Sequence, residues 1–370
     1  MPATAVPAAV AVTRALVLSA PEVVRVETID LPAPGPGEVL LRTLACGVCG
    51  SDLRYFVGDN PWAQHTLGHQ APIDWNRTVL GHEACAVIEA VGDGVDASRI
   101  GETVVVEALH PCGVCAECLS GNKNLCKACS HLGHGGGWPD GYDRPYFPGA
   151  MSDRFLYFAS ECLPLPPGSP AAPEEFALAD MVAVGVHAVK RAAQVRARGL
   201  GASVVGLVIG CGQVGLSIAQ VARTKGAAMT GVDPSAVPRR VADAVGIACV
   251  ASLDEAGAGP FDAIWDTVCT PETLQVGLSR LAPGGVYVLL APHEMTFGIP
   301  PLAVGGERAV TTSCNFDPPE DLAEALELIG SRQVDMRPYI TRRVALADAP
   351  QAFDHLHTHR DAEFKVVITP

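Results

Sequence analysis

Val204-Val205-Gly206-Leu207-Val208-Ile209-Gly210-Cys211-Gly212-Gln213-Val214-Gly215 is the stretch on which the reading of the fold turns. Its first six residues form an apolar run, as expected of a strand covered on both faces. The next six match G-x-G-x-x-G and open a segment, Gln213–Lys225, with helical apolar spacing. A glycine turn between a buried strand and a helix is the context in which this pattern has meaning. The glycines let the backbone approach a pyrophosphate, and the helix N-terminus favours its charge. Gly210, Gly212, Gln213, Val214 and Gly215 are therefore read as cofactor-binding residues.

Working outward, Met229–Val232, Ala263–Asp266 and Val286–Leu290 read as further strands, each closing near a turn signal. Strands that alternate with helices predict a doubly wound parallel sheet over about 183–318. Asp233 ends the second strand, about twenty residues beyond the glycine turn. A carboxylate there accepts hydrogen bonds from the ribose hydroxyls and repels a 2′-phosphate, which points to NAD. Arg239 and Arg240 lie just beyond and keep NADP open, since a basic pair can serve a phosphate.

The flanking regions have another texture. Residues 1–182 carry short β-like runs (Val39–Ala45, Ala84–Val91, Thr103–Glu107) punctuated by Gly and Pro, the pattern of a mostly β unit. Residues 319–370 hold one helix, Pro319–Ile329, and a closing strand, Lys365–Thr369, expected to return to that unit. The chain has 370 residues, too many for one ordinary core. Apolar residues make up 48%, enough to fill an interior, and the net charge of −14 makes nucleic acid a poor partner. No uncharged apolar run is long enough to cross a bilayer, so no membrane partner is expected.

Thirteen cysteines require a purpose. Cys112, Cys115, Cys118 and Cys126 are spaced C-x2-C-x2-C-x7-C, which suits a closed tetrahedral zinc site of structural type. Cys129 reads as a spare. A reducing cytoplasm is the expected setting, because a disulfide framework belongs to shorter secreted chains. A second group is Cys49-Gly50-Ser51-Asp52 followed by Gly81-His82-Glu83. Each piece alone is weak: Cys46-x-x-Cys49 could be a redox pair, and His-Glu a core pair.

These motifs, followed in order by the cysteine lobe and the glycine turn, resemble the zinc-containing medium-chain dehydrogenases, above all their polyol (sorbitol- and idonate-type) branch. The similarity runs from about Arg14 to Thr369. It implies an α/β chain with a GroES-like, mostly β catalytic domain and a Rossmann nucleotide domain. It implies two zinc ions per chain and NAD. It makes Cys49, rather than Cys46, a ligand of the catalytic zinc, with His82 and Asp180 beside it and Glu83 able to approach the metal. Asp180 also reads as an N-cap for a helix from Met181. Ser51 matches the family's first proton acceptor and Asp52 the carboxylate that orients the imidazole. Val268, Leu290 and Ala291 match its nicotinamide contacts.

The expected reaction is oxidation of a secondary alcohol, with reduction of a specialised ketone or iminium as the alternative and an inert NAD- and zinc-binding protein as a remote one. Where relatives carry a histidine two residues after the aspartate, this chain has Arg54, a poor proton relay. A long segment with Tyr55, Phe56, Trp62, His65, His69 and Trp75 separates the two ligand motifs and is read as a substrate-shaping loop or a self-packed insertion. Residues 131–147, with Gly135-Gly136-Gly137, read as a lid or an interface loop. Ala309–Cys314 reads as the sheet edge through which a homodimer or homotetramer would pair.

Overall fold

The structure is a computed structural model and describes residues 11–60, 73–134, 144–196, 199–201, 203–291, 298–359 and 361–370. It divides into two units, one of residues 1–178, 342–360 and 365–370, the other of 179–341 and 361–364. The Pro319–Ile329 helix forms as Glu320–Gly330 but belongs to the second unit, so the chain re-enters the first at Arg342 rather than near 319.

In the first unit, strand Glu38–Gly47 pairs antiparallel with Glu83–Val91, and Gly47 stands opposite Glu83. The closing strand Lys365–Thr369 pairs antiparallel along the same segment, with Ile368 opposite Cys46 and Val367 opposite Gly47. A short helix, Gly50–Phe56, follows at once, with Cys49 at its N-cap. Three segments distant in sequence thus bring Cys49, His82, Glu83 and Lys365 together. Below them lies an apolar core that includes Leu16, Leu41, Ile88, Val104 and Phe353.

Tyr55 and Phe56 belong to this core. They are buried on the helix rather than displayed on a substrate loop. Phe56 tilts against Phe353 with ring centres 5.7 Å apart, and Tyr55 donates its hydroxyl proton to Asn60 Oδ1 at 2.7 Å. Trp75 packs against the same cluster. Trp62, His65, His69 and Gly135–Gly137 lie outside the described residues.

The second unit is a six-stranded parallel sheet, ordered Ala248–Val250, Ala228–Val232, Val205–Ile209, Phe261–Asp266, Leu281–Leu289, Ala309–Thr312. The central strands are buried on both faces, as their unbroken apolar runs require. Helix Gln213–Thr224 leaves the glycine turn as expected, and Ala309–Thr312 is an edge strand. Asp180 lies within the first turn of the helix Ala179–Val195 rather than at a cap before Met181. Among the described residues, no helix is long and apolar enough to cross a membrane.

Candidate active site

Helix Gly50–Phe56 begins where it does because Asp52 returns a carboxylate oxygen to the backbone N–H of Cys49, at 2.8 Å. This holds the Cys49 side chain at the helix mouth. His82 directly precedes the neighbouring strand and is 4% exposed. The donor atoms of Cys49, His82 and Glu83 all lie within 4.8 Å of one another, close enough to share one ion. Cys46 points elsewhere. It is fully buried, its Sγ faces the Gly47 carbonyl, and burial first, then Asp52 and Glu83, push its thiol well above the ordinary range.

The electrostatics favour a cation. Burial alone lowers the proton affinity of His82, but Asp52 and the Cys49 sulfur more than reverse it, so positive charge is stabilised at this imidazole. The donor set of one sulfur, one ring nitrogen and one carboxylate fits zinc. Asp52 faces His82 Nδ1 at 3.6 Å, longer than a direct hydrogen bond. Ser51 follows on the same helix. Arg54 is tied to Asp59 through Nε at 2.8 Å and Nη2 at 2.5 Å.

Sequence reasoning missed two further features. The first is Lys365, whose buried ammonium donates to both Glu83 oxygens (2.9 and 2.8 Å) and to the Val48 carbonyl (2.9 Å). Gly47 makes room for this pair, since a Cβ there would sit 2.1 Å from Glu83 Oε2. The second is an imidazole stack. His131 and His134 are buried and stacked 4.0 Å apart, and His134 lies 4.8 Å from the His82 ring and 4.1 Å from Tyr55. Burial lowers both, His131 to about 3, so the pair is neutral. The described start of the 131–147 segment is therefore interior packing behind His82, not a lid.

The cysteine lobe gathers as its spacing predicts, with the sulfurs of Cys112, Cys115, Cys118 and Cys126 within 4.8 Å of one another. Zinc–thiolate bonds of about 2.3 Å imply sulfurs about 3.8 Å apart. Cys112 and Cys118 stand at 4.0 Å. The backbone N–H groups of Val114 and Cys115 draw Cys112 down to about 6, while burial pushes Cys118 up to about 12. Crowded sulfurs of this kind ionise together only around a cation, so the quartet fits zinc. Cys129, also pushed up to about 12 by burial, sits beside it as a fifth thiol.

In the second unit, Gly210 turns with φ +84, and a Cβ on Gly215 would meet the Gly210 carbonyl oxygen at 1.9 Å. A Cβ on Gly212 would meet nothing, so the turn keeps an open face of the kind a pyrophosphate can approach. Val214 and Gln213 begin the helix, and Gln213 Nε2 donates to the Phe364 carbonyl at 2.5 Å. Asp233 is oriented by two backbone N–H groups, Cys211 at 2.9 Å and Ser235 at 2.8 Å. Arg239 donates to the carbonyls of Asp233 and Pro234.

At the C-terminal end of strand Phe261–Asp266, buried Asp266 accepts from the backbone N–H groups of Val268 and Cys269, from Thr273 Oγ1 and from Tyr287 OH. Leu290 N donates to the Asp266 carbonyl, and Ala291 N reaches Cys269 Sγ. Asp266 thus fixes the loops bearing Val268, Leu290 and Ala291, a role its sequence position did not signal.

Two family models match the chain: the alcohol dehydrogenase GroES-like domain over residues 35–167 and the zinc-binding dehydrogenase model over 214–331. Sorbitol dehydrogenase of Macaca fascicularis is 30% identical, covering 92% of this chain and 91% of its own. L-Idonate 5-dehydrogenase of Vitis vinifera is 27% identical, covering 89% and 87%. Acetophenone reductase from Geotrichum candidum, solved in complex with NAD, superposes with a TM-score of 0.77 at 25% identity over 99% of both chains. With its two matched domains, its sheet order and an identity of 30% sustained over nearly its full length, the chain belongs to the zinc-binding, GroES-like alcohol dehydrogenases of the medium-chain family, enzymes that oxidise hydroxyl groups with a nicotinamide cofactor.

Proposed function

We propose that this enzyme oxidises a secondary alcohol of a polyol, cyclitol or related hydroxylated small molecule to a ketone, with NAD as hydride acceptor. The observation that carries the reading is the convergence of Cys49, His82 and Glu83 donors within 4.8 Å. Cys49 and His82 would hold the catalytic zinc, with Asp180 as third protein ligand and Glu83 in reserve. One thiolate, one carboxylate and one neutral imidazole would balance the charge of Zn²⁺. When bound, zinc would supply the Lewis acidity that lets the alcohol proton leave near neutral pH, and NAD would supply the hydride acceptor. Ser51 accepts that proton. Asp52 holds the mouth of the helix and the field around His82. Asp233 engages the adenosine ribose, and Val268, Leu290 and Ala291 border the nicotinamide. The thiolates of Cys112, Cys115, Cys118 and Cys126 would hold a second, structural zinc.

Arg54, committed to Asp59, offers no outer proton relay. That favours, as a second reading, reduction of a specialised ketone or iminium, in which release of a proton to solvent matters less. The similarity to acetophenone reductase agrees with it. Pairing through the Ala309–Thr312 edge into a homodimer or homotetramer, and a cytoplasmic location, complete the proposal. Assaying polyols, aminocyclitols and simple secondary alcohols with NAD, and the matching ketones with NADH, tests it. Turnover of hydroxylated substrates supports the first reading, and turnover confined to the ketone direction supports the second. No turnover by protein of full zinc content overturns both.

A further inference from the structure

Cys211, the second residue of the glycine turn, has a partner that the dehydrogenase reading does not use. Its Sγ lies 3.3 Å from Sγ of Cys249, on the Ala248–Val250 strand. The strand between them supplies the gap. Gly231 stands opposite Cys249 in the parallel ladder, and a Cβ there would sit 2.3 Å from Cys211 Sγ and 3.3 Å from Cys249 Sγ. Only glycine lets the two sulfurs meet. Cys211 is wholly buried under the turn, whereas Cys249 is partly exposed and within reach of small solutes. Cys249 is held below the ordinary thiol range, first because the Cys211 S–H can donate to its thiolate and, with smaller weight, by the charge of Arg239.

We infer that Cys211 and Cys249 are a peroxide-oxidisable dithiol, and that closing it to a disulfide weakens binding of the dinucleotide. The second half rests on the proposed reading that the Gly210–Gly215 turn binds NAD. In the first step the Cys249 thiolate attacks one oxygen of hydrogen peroxide, and the O–O bond breaks. Cys249 becomes a sulfenic acid, and the departing hydroxide takes a proton to leave as water. The Cys211 sulfur then attacks the sulfenic sulfur, and the S–O bond breaks. The hydroxide released combines with the Cys211 proton as a second water. Two thiols lose two electrons and peroxide gains them.

A disulfide bond is about 2.05 Å long, so the sulfurs must approach by about 1.2 Å from their present 3.3 Å. That movement pulls on Cys211, whose backbone N–H orients Asp233. The ribose carboxylate and the turn are thereby displaced together. In a reducing cell interior the dithiol form prevails and the link forms only under oxidant.

The test treats the zinc-loaded enzyme and its Cys249→Ser variant with one equivalent of hydrogen peroxide. Non-reducing peptide mapping and an NAD titration by intrinsic fluorescence follow, before and after dithiothreitol. The expected result is a peptide pair linked through 211 and 249 in the wild type, with affinity for NAD lowered about tenfold and restored by the reductant. Under the same treatment Cys249→Ser keeps its affinity. Oxidation at other cysteines with no 211–249 link overturns the inference, as does a link that leaves NAD affinity unchanged or an equal loss in Cys249→Ser. Reduced enzyme that fails to bind NAD counts instead against the nucleotide reading, because the linked peptide is detected without any nucleotide.

Discussion

Lys365 donates to both carboxylate oxygens of Glu83 across 282 residues of sequence, at 2.9 and 2.8 Å, with both side chains almost wholly buried. The ion pair lies next to Cys49 and His82 and fixes the Glu83 carboxylate beside them. Removing one partner of a buried pair leaves an uncompensated charge, at a cost of roughly 3–5 kcal/mol. Lys365→Met is therefore expected to lower stability by about that amount, and Lys365→Arg by clearly less. Chemical denaturation of the three proteins checks this. A Lys365→Met variant as stable as wild type would mean that Glu83 has another partner to turn to.

The second and third glycines of the Gly210–Gly215 turn separate folding from binding. A methyl on Gly215 collides with the Gly210 carbonyl at 1.9 Å, while a methyl on Gly212 meets only open space. Gly215→Ala is expected to lower the melting temperature. Gly212→Ala is expected to keep the melting temperature and lose NAD affinity by tenfold or more, roughly 1.4 kcal/mol and upward. Thermal scans paired with NAD titrations distinguish the two. Normal NAD binding by Gly212→Ala would place the pyrophosphate elsewhere.

Asp233 is held ready by the N–H groups of Cys211 and Ser235. On the proposed reading that Asp233 engages the ribose, its replacement by Ser would remove the carboxylate's hydrogen bonds to the ribose hydroxyls and its repulsion of a 2′-phosphate. Asp233→Ser should weaken NAD binding by about tenfold and narrow the preference over NADP by more than that. Parallel titrations with the two nucleotides read this directly. An unchanged ratio would move the discrimination to Arg239 and Arg240.

The cysteine lobe is expected to act on stability alone. Cys118→Ser leaves three thiolates around the site and should reduce the metal content by about one zinc per chain and lower the melting temperature. NAD affinity should stay within about twofold of wild type, because the turn and Asp233 lie in the other unit. Metal analysis and titration of the same sample test both halves.

What could be read from the sequence was what local chemistry dictates. The glycine turn follows from backbone conformation within six residues, and the four lobe cysteines lie within fifteen. Cys49 and His82 were read through resemblance, since Cys46 offers the same atom three residues away. Burial and strand register separate the two in space. Lys365 was not legible, because only the pairing of the closing strand beside Gly47 brings it to Glu83. Tyr55 and Phe56 looked like loop aromatics because helix Gly50–Phe56 is barely two turns long and carries no periodic signal. His131 and His134 gave no sign of packing behind His82, since burial of an imidazole stack depends on tertiary contacts.

The zinc content and turnover of Cys49→Ala, set beside Cys46→Ala, test the central claim most directly. Wild type and Cys46→Ala are expected to hold about two zinc ions per chain and to turn over, and Cys49→Ala about one, folded and NAD-binding but inactive. A Cys49→Ala enzyme that keeps both metals and its activity, or a Cys46→Ala enzyme that loses them, would contradict the assignment.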